Sequence, residues 1–301
     1  LYLKYEADKT IPKKKVAAQD LFFDLLKERA ETGRIYIMNL DHCNSHSSFK
    51  DKVSMSNLCQ EITLPTTPIQ DIHDDQGEIA LCILSAVNVG ALNDLSELEN
   101  ICDLSVRALE QIIDYQDYPV KAAEVSTKSR RSLGIGYIGL AHYLAKNNVK
   151  YNEKGAWELV DRLSEAFQYH LLRASCDIAK EKGKCDGFEK TKYADGLLPI
   201  DHYKKEVDEI VPHKQRMAWE SLRKDIAKYG LRHSTLSAQM PSESSSVVSN
   251  ETNGIEPPRA MLQIKKSKKG PLKQIAPGFP KLKNDYTLLW DMPSNEGYIN
   301  V

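Results

Sequence analysis

The feature that most constrains the fold is an alternation of short apolar extended stretches with long amphipathic helices. Residues 60 to 64 and 78 to 89 read as extended apolar segments. Asp94-Leu-Ser-Glu97 then forms a capping-box-like start to a helix reaching about Tyr115. Val160, Leu163, Phe167, Leu171, Ala174 and Ile178 recur at spacings of three and four and mark another helix, and a further one runs from about Gln215 to Tyr229. Near the start, residues 16 to 33 have helical apolar spacing and feed a strand at Ile35 to Met38. Strands interspersed with long helices predict an α/β architecture. No internal repeat is present, and the one biased segment, Lys265 to Lys273, reads as a solvated turn or hairpin.

Composition narrows the function less than the fold. The 301 residues suffice for one large domain or two ordinary ones, and 41% hydrophobic residues can fill a sizeable core. A formal net charge of −1 offers no general attraction to polyanions, so nucleic-acid binding is disfavoured and a nucleotide would need a local site. No apolar run reaches the roughly 18 residues of a membrane span, and the opening Leu-Tyr-Leu-Lys-Tyr-Glu is no signal peptide, which predicts a cytoplasmic protein. The six cysteines, at 43, 59, 82, 102, 176 and 185, form no Cys-x-x-Cys pair, as expected of reduced thiols. Cys102 and Cys176 lie in helical stretches and read as small buried hydrophobes. Cys185, between lysine and aspartate, is expected to be exposed and functionally silent.

Cys59 and Cys82 stand in apolar surroundings that suggest redox chemistry. Asn57 and Glu61 each lie two residues from Cys59, so in an extended segment an amide, a thiol and a base would project to one face. Cys82 taken by itself is core filler as readily as a functional thiol. Farther along, Pro241-Ser-Glu-Ser-Ser-Ser246 places small hydroxyl residues after a proline, which suits a helix amino terminus whose free N–H groups face an anion; taken alone it is equally a helix cap.

Other patterns carry less. Gly134-Ile-Gly136-Tyr-Ile-Gly139 satisfies G-x-G-x-x-G, but the preceding Ser-Thr-Lys-Ser-Arg-Arg is not the apolar strand that a dinucleotide fold requires. Asp41, His42, Cys43 and His46 are metal-ligand types without the second clustered pair of a closed zinc site. The Lys265 to Lys273 run is better read as a solvated face than as a contact for a phosphate-rich partner.

Asp-His-Cys-Asn-Ser-His (41 to 46), Asn-Leu-Cys-Gln-Glu-Ile (57 to 62), Glu-Ile-Ala-Leu-Cys (78 to 82), Asp-Tyr-Gln-Asp-Tyr-Pro (114 to 119), Pro-Ser-Glu-Ser-Ser (241 to 245) and Asn-Gly-Ile-Glu-Pro-Pro (253 to 258) occur in an order that resembles the large, catalytic subunit of ribonucleotide reductase, class I. Trp219, Leu222, Gly230, Leu231, His233, Ser237, Ala238 and Pro241 extend the likeness. The resemblance implies part of a ten-stranded α/β barrel with the Cys59 loop threading its centre, residues 1 to 301 forming one partial barrel domain. It gives Cys59 a transient thiyl role, Glu61 the base role at the ribose 3′-hydroxyl, and Asn57 a hydrogen bond to the sugar. Cys82 becomes one member of a dithiol pair whose partner lies upstream of residue 1. Pro241, Ser242, Glu243, Ser244 and Ser245 form the substrate-diphosphate loop, and Leu84 and Ser85 line the pocket or simply pack the core.

The same resemblance implies no cofactor bound directly, a radical supplied by a diiron-tyrosyl small subunit, and thioredoxin or glutaredoxin as reductant. Complete, such a subunit would be a homodimer. Against the family the chain reads as a fragment, without the regulatory region, the first barrel half and the carboxyl-terminal part. An inactive association module that works only after joining the missing segments stays open beside the reductase reading. So does a cobalamin-dependent reductase of the same superfamily; a glycyl-radical enzyme would leave Cys82 unneeded.

Overall fold

In the computed structural model, which describes residues 2–267 and 270–301, the chain divides into two compact units, Leu1–Asn39 and Leu40–Val301. The first holds α1 (Tyr2–Ala7) and α2 (Ala18–Thr32). Gly33 ends α2 at φ +64°, donating its N–H to the Arg29 carbonyl, the left-handed cap that glycine adopts without a Cβ clash. The strand expected at Ile35 to Met38 does not form, since no described segment pairs with it.

The second unit opens with α3 (Leu40–His46) and is organised by β1 (Ile83–Asn88), α4 (Glu97–Tyr115), α5 (Lys121–Arg130) and β2 (Leu133–Ile138). The strands pair in parallel from Ile83 opposite Leu133 to Asn88 opposite Ile138, so α4 and α5 make the crossover of a βαβ unit. Next come α6 (Leu140–Lys146), α7 (Lys154–Lys182), the short α8 (Pro199–His202) and α9 (Trp219–Tyr229). The chain then returns beside β2, where Ile135 bridges Ser237 in parallel and the Leu133 and Ile135 N–H groups donate to the Thr235 and Leu236 carbonyls. The result is an open parallel arc of the α/β class; the described residues do not close a barrel.

The core sits between this arc and its helices. Leu98, Cys102, Val106, Leu109 and Ile113 form the buried stripe of α4 and pack with Val160, Leu163, Phe167 and Leu171 of α7. Each fully buried aliphatic side chain contributes about 1.5–3 kcal/mol. All six residues of β2 are buried; Tyr137 meets Phe167 of α7 edge-on at 5.4 Å, so its odd-numbered side chains face the helices. The N-terminal signal of α4 is realised through Glu97, whose carboxylate accepts the Asn93 and Asp94 N–H groups. The next predicted helix starts at Trp219 rather than Gln215. The N–H groups of Arg216 and Met217 go instead to the buried Glu165 carboxylate, which replaces helical partners.

Cys185 corrects the reading of its surroundings: it is 2% exposed, with its N–H bonded to the Leu231 carbonyl, while Lys184 and Asp186 on either side stay in solvent. Toward the carboxyl end stand α10 (Glu243–Val248), the antiparallel hairpin of β3 (Leu262–Ser267) and β4 (Gly270–Ile275), and α11 (Glu296–Asn300). The lysine-rich segment is therefore a hairpin, whose Lys268 and Lys269 lie outside the described residues.

Candidate active site

The segment carrying Cys59 is a turn, not the extended strand its apolar neighbours suggested. The Asn57 N–H donates to the Ile62 carbonyl (3.2 Å), the Gln60 N–H to the Asn57 carbonyl (3.2 Å), and the Ile62 N–H to Asn57 Oδ1 (3.1 Å). Gln60 lies at φ +64°. A side-chain oxygen that closes a turn in this way competes with ladder pairing, which explains why residues 60 to 64 do not extend. Projection of residues 57, 59 and 61 from one strand face therefore does not describe the site. Cys59 is exposed at the tip, the Asn57 amide nitrogen is left over, and Glu61 is half-buried. Glu61 Oε2 is inaccessible and has no protein partner, a costly state for a carboxylate oxygen unless a ligand supplies the missing hydrogen bond.

Cys82 lies just before β1, and side-chain alternation puts it on the same face as Leu84. The register sets that face beside Gly134 and Gly136 of β2, opposite the helices. A β-carbon at Gly136 would come within 3.0 Å of Gln239 Oε1 and 3.1 Å of Met240 Sδ, so β2 presents bare backbone to its neighbours there. Leu84 is 44% exposed on this face, whereas Ser85 falls on the other. Burial pushes the Cys82 thiol up to about 12, and the nearby Glu61 carboxylate adds to the push. The fold thus brings together Glu61 of the turn and Cys82, just before β1, 21 positions apart in sequence, around a thiol that keeps its proton.

The serine-rich segment forms α10. Ser242 is buried; its hydroxyl approaches Asn253 Oδ1 at 3.4 Å, and its carbonyl accepts the Ser246 N–H. Pro241, Ser244 and Ser245 are exposed, and exposed Glu243 pairs with Lys265 of β3 at 2.7 Å. That ion pair draws the Glu243 charge toward the hairpin, leaving the N–H groups of the first turn as the local donors.

Asp41, His42, Cys43 and His46 fall on α3, and no group of three or more metal-ligating side chains that could hold an ion occurs among the described residues. Of the glycines of the G-x-G-x-x-G pattern, Gly134 and Gly136 are residues of β2, and Gly139 lies just past it at φ +84°, before α6. Sequence reading missed their use: two glycines at i and i+2 in a strand strip one face of side chains, here the face of Cys82 and Leu84.

The family model for the ribonucleotide reductase barrel domain matches residues 1–292. Over 304 aligned residues the chain is 57% identical to the ribonucleoside-diphosphate reductase subunit alpha of Buchnera aphidicola subsp. Baizongia pistaciae and 56% identical to that of Haemophilus influenzae. It is 53% identical to ribonucleoside-diphosphate reductase 1 subunit alpha of Escherichia coli. Each alignment takes in 100% of this chain, which spans about 40% of the length of these curated relatives. With a match across nearly all its residues, the chain belongs to the ribonucleotide reductase barrel domain family.

Proposed function

We propose that this chain acts within a ribonucleoside-diphosphate reductase catalytic subunit, converting ribonucleoside diphosphates to deoxyribonucleoside diphosphates by thiyl-radical chemistry. The observation that carries the reading is the convergence of the unpartnered Glu61 carboxylate and the proton-holding Cys82 thiol beside the Cys59 turn. Displacing a ribose 2′-hydroxyl by acid–base means alone is very hard. It becomes feasible once a hydrogen atom leaves the neighbouring 3′ carbon, and a sulfur radical suits that reversible transfer because S–H and activated C–H bonds are close in strength.

In this scheme Cys59 takes the 3′ hydrogen atom and later returns it. Glu61 accepts the 3′-hydroxyl proton, for which its free oxygen is suited, and gives it back when the 3′-hydroxyl is restored, and the Asn57 amide nitrogen binds the sugar. The 2′-oxygen leaves as water. Cys82 and a second thiol from outside residues 1 to 301 supply two electrons and two protons and end as a disulfide. The protonated state of Cys82 suits a hydrogen donor better than a nucleophile. Pro241, Ser242, Glu243, Ser244 and Ser245 hold the diphosphate at the first turn of α10, and Leu84 lines the pocket.

The family likeness supports the wider setting. The arc would be completed to a ten-stranded barrel by the remaining segments of the subunit, with the Cys59 turn as its central finger loop. The radical would come from a diiron-tyrosyl small subunit, reducing equivalents from thioredoxin or glutaredoxin, and the complete subunit would be a cytoplasmic homodimer. No helix of the described residues is long and apolar enough to cross a membrane.

The test is Cys59→Ser in the complete subunit with its radical-supplying partner. Reduction should vanish while substrate affinity changes by less than about threefold, because a hydroxyl cannot readily form the radical but fits the same space. Multiple turnover by that variant would remove the thiyl role.

A further inference from the structure

Behind α10 lie a buried acid and a half-buried imidazole that the scheme above does not use. Glu251 is 4% exposed. Its Oε2 lies 3.0 Å from His142 Nδ1 of α6, and its Oε1 accepts the Thr252 N–H at 2.8 Å. A carboxylate only accepts, so His142 Nδ1 carries the hydrogen of that bond. The His142 ring is stacked on Tyr286, with centroids 6.4 Å apart, which fixes its plane.

Two glycines make room for this pair. A β-carbon at Gly90, just past β1, would stand 2.5 Å from Glu251 Oε2, and one at Gly139, just past β2, would stand 2.7 Å from Glu251 Cγ. The acid therefore occupies the space of the missing side chains at the carboxyl ends of both parallel strands. Its backbone is held as firmly: the Glu251 N–H donates to the Ser246 carbonyl of α10 (2.8 Å), and Gln274 Nε2 donates to the Glu251 carbonyl (2.9 Å). The following residues clamp α6, with the Gly139 N–H on the Thr252 carbonyl (3.0 Å) and the Leu140 N–H on the Gly254 carbonyl (3.2 Å). Asn253, between them, reaches back to the Ser242 hydroxyl.

We propose that Glu251 and His142 are positioning residues for the substrate diphosphate. They lock the segment from Ser242 to Gly254 onto the carboxyl ends of β1 and β2 and thereby set where the first turn of α10 presents its N–H groups. This rests on the reading that α10 binds the diphosphate. Neither side chain touches substrate; each acts through the backbone it holds. Uncharged Gln at position 251 keeps an oxygen acceptor for one of the two N–H donors, whereas Ala keeps none.

The experiment compares Glu251→Ala, Glu251→Gln and Ser245→Trp in the complete subunit with its radical-supplying partner, measuring KM and kcat for a ribonucleoside diphosphate and Kd for the matching nucleoside. Glu251→Ala should raise KM about tenfold to a hundredfold. It should lower kcat by less than about threefold and leave nucleoside Kd unaltered. Glu251→Gln should recover most of the affinity. If Glu251→Ala does not accumulate, His142→Phe, which keeps a ring against Tyr286 but removes the N–H, should show the same rise in KM. An unchanged KM in either variant, or equal losses for nucleoside and diphosphate, overturns the positioning role. Ser245→Trp separates the two ideas: if it weakens diphosphate selectively while Glu251→Ala and His142→Phe do not, only the positioning role fails. If Ser245→Trp shows no selectivity, the diphosphate reading of α10 fails and the inference with it.

Discussion

Gly134 lies directly against Cys82, such that a β-carbon on the glycine would stand 2.8 Å from the Cys82 sulfur. It would also meet Leu84 Cδ2 at 2.6 Å and Ala238 Cβ at 3.1 Å. The strand pairing that brings Gly134 opposite Leu84 is what leaves the thiol its place. Gly134→Ala is therefore expected to cost about 1–3 kcal/mol through overpacking and to displace the thiol. Thermal melting and steady-state turnover of the complete subunit check this. Adding Leu84→Ala should return part of the stability if the clash is the cause, and a strictly additive double mutant would reject it.

How much of this was legible in the sequence depends on whether a residue's role is local. The α4 and α7 stripes were readable because a buried helix face repeats every three to four residues, and Glu97 marked the start of α4 by residue type. The Cys59 turn was misread as extended because the decisive bond, from the Ile62 N–H to a side-chain oxygen of Asn57, leaves no trace in hydrophobic pattern. Cys185 was misread because its lysine and aspartate neighbours point to solvent while its own burial depends on Leu231, far along the chain. The motif residues of the proposed site were nameable from the family likeness. Gly134, Glu251 and His142 were not, since their roles arise only where separate strands and loops meet.

The Cys82 thiol provides a direct chemical check. With burial and Glu61 raising it from an ordinary 9.0 to about 12, its thiolate fraction at neutral pH falls by roughly a thousandfold. Alkylation at pH 8 should label the exposed Cys59 well before Cys82, as followed by peptide mapping. The Cys82 rate should still be climbing at about pH 11, where an unperturbed thiol would have levelled off. A Cys82 rate that plateaus near pH 9 would show that the thiol is not held in its protonated form.

The proposed dithiol role makes a separate demand on the same residue. Cys82→Ser should abolish steady-state turnover with a thioredoxin-type reductant while leaving Cys59 able to begin chemistry on the sugar. Unchanged turnover would remove Cys82 from the mechanism.

A buried polar cluster behind the arc gives the last prediction, on acid stability. Glu110 of α4 is 1% exposed on its side chain and accepts from Arg131 Nε (2.7 Å), Arg232 Nε (2.8 Å) and His233 Nε2 (3.0 Å). The His233 ring is buried, and its Nδ1 lies 2.9 Å from the Ser175 hydroxyl of α7. Because Nε2 carries the hydrogen given to the carboxylate, Nδ1 of the neutral ring accepts from Ser175. Burial drives His233 toward this neutral form, below its ordinary range, and outweighs the pull of Glu110. Burial alone would raise the Glu110 carboxyl, but the hydrogen bonds from His233, Arg131 and Arg232 overcome it and hold the group at about 2, against an ordinary 4.5. A folded value below the unfolded one means that the contribution to stability is fully present above about pH 4.5 and is lost as pH falls toward 2. Its size is on the order of 2–3 kcal/mol. Other carboxylates also titrate in that range, so the informative quantity is the difference between wild type and Glu110→Gln in urea unfolding. That difference should shrink steadily as pH falls from 5 to 3, because the unfolded-state carboxyl takes up its proton in that range while the folded one stays ionised. A difference that stays constant across this range would show that Glu110 does not gain its stabilisation from the charge it presents to Arg131, Arg232 and His233.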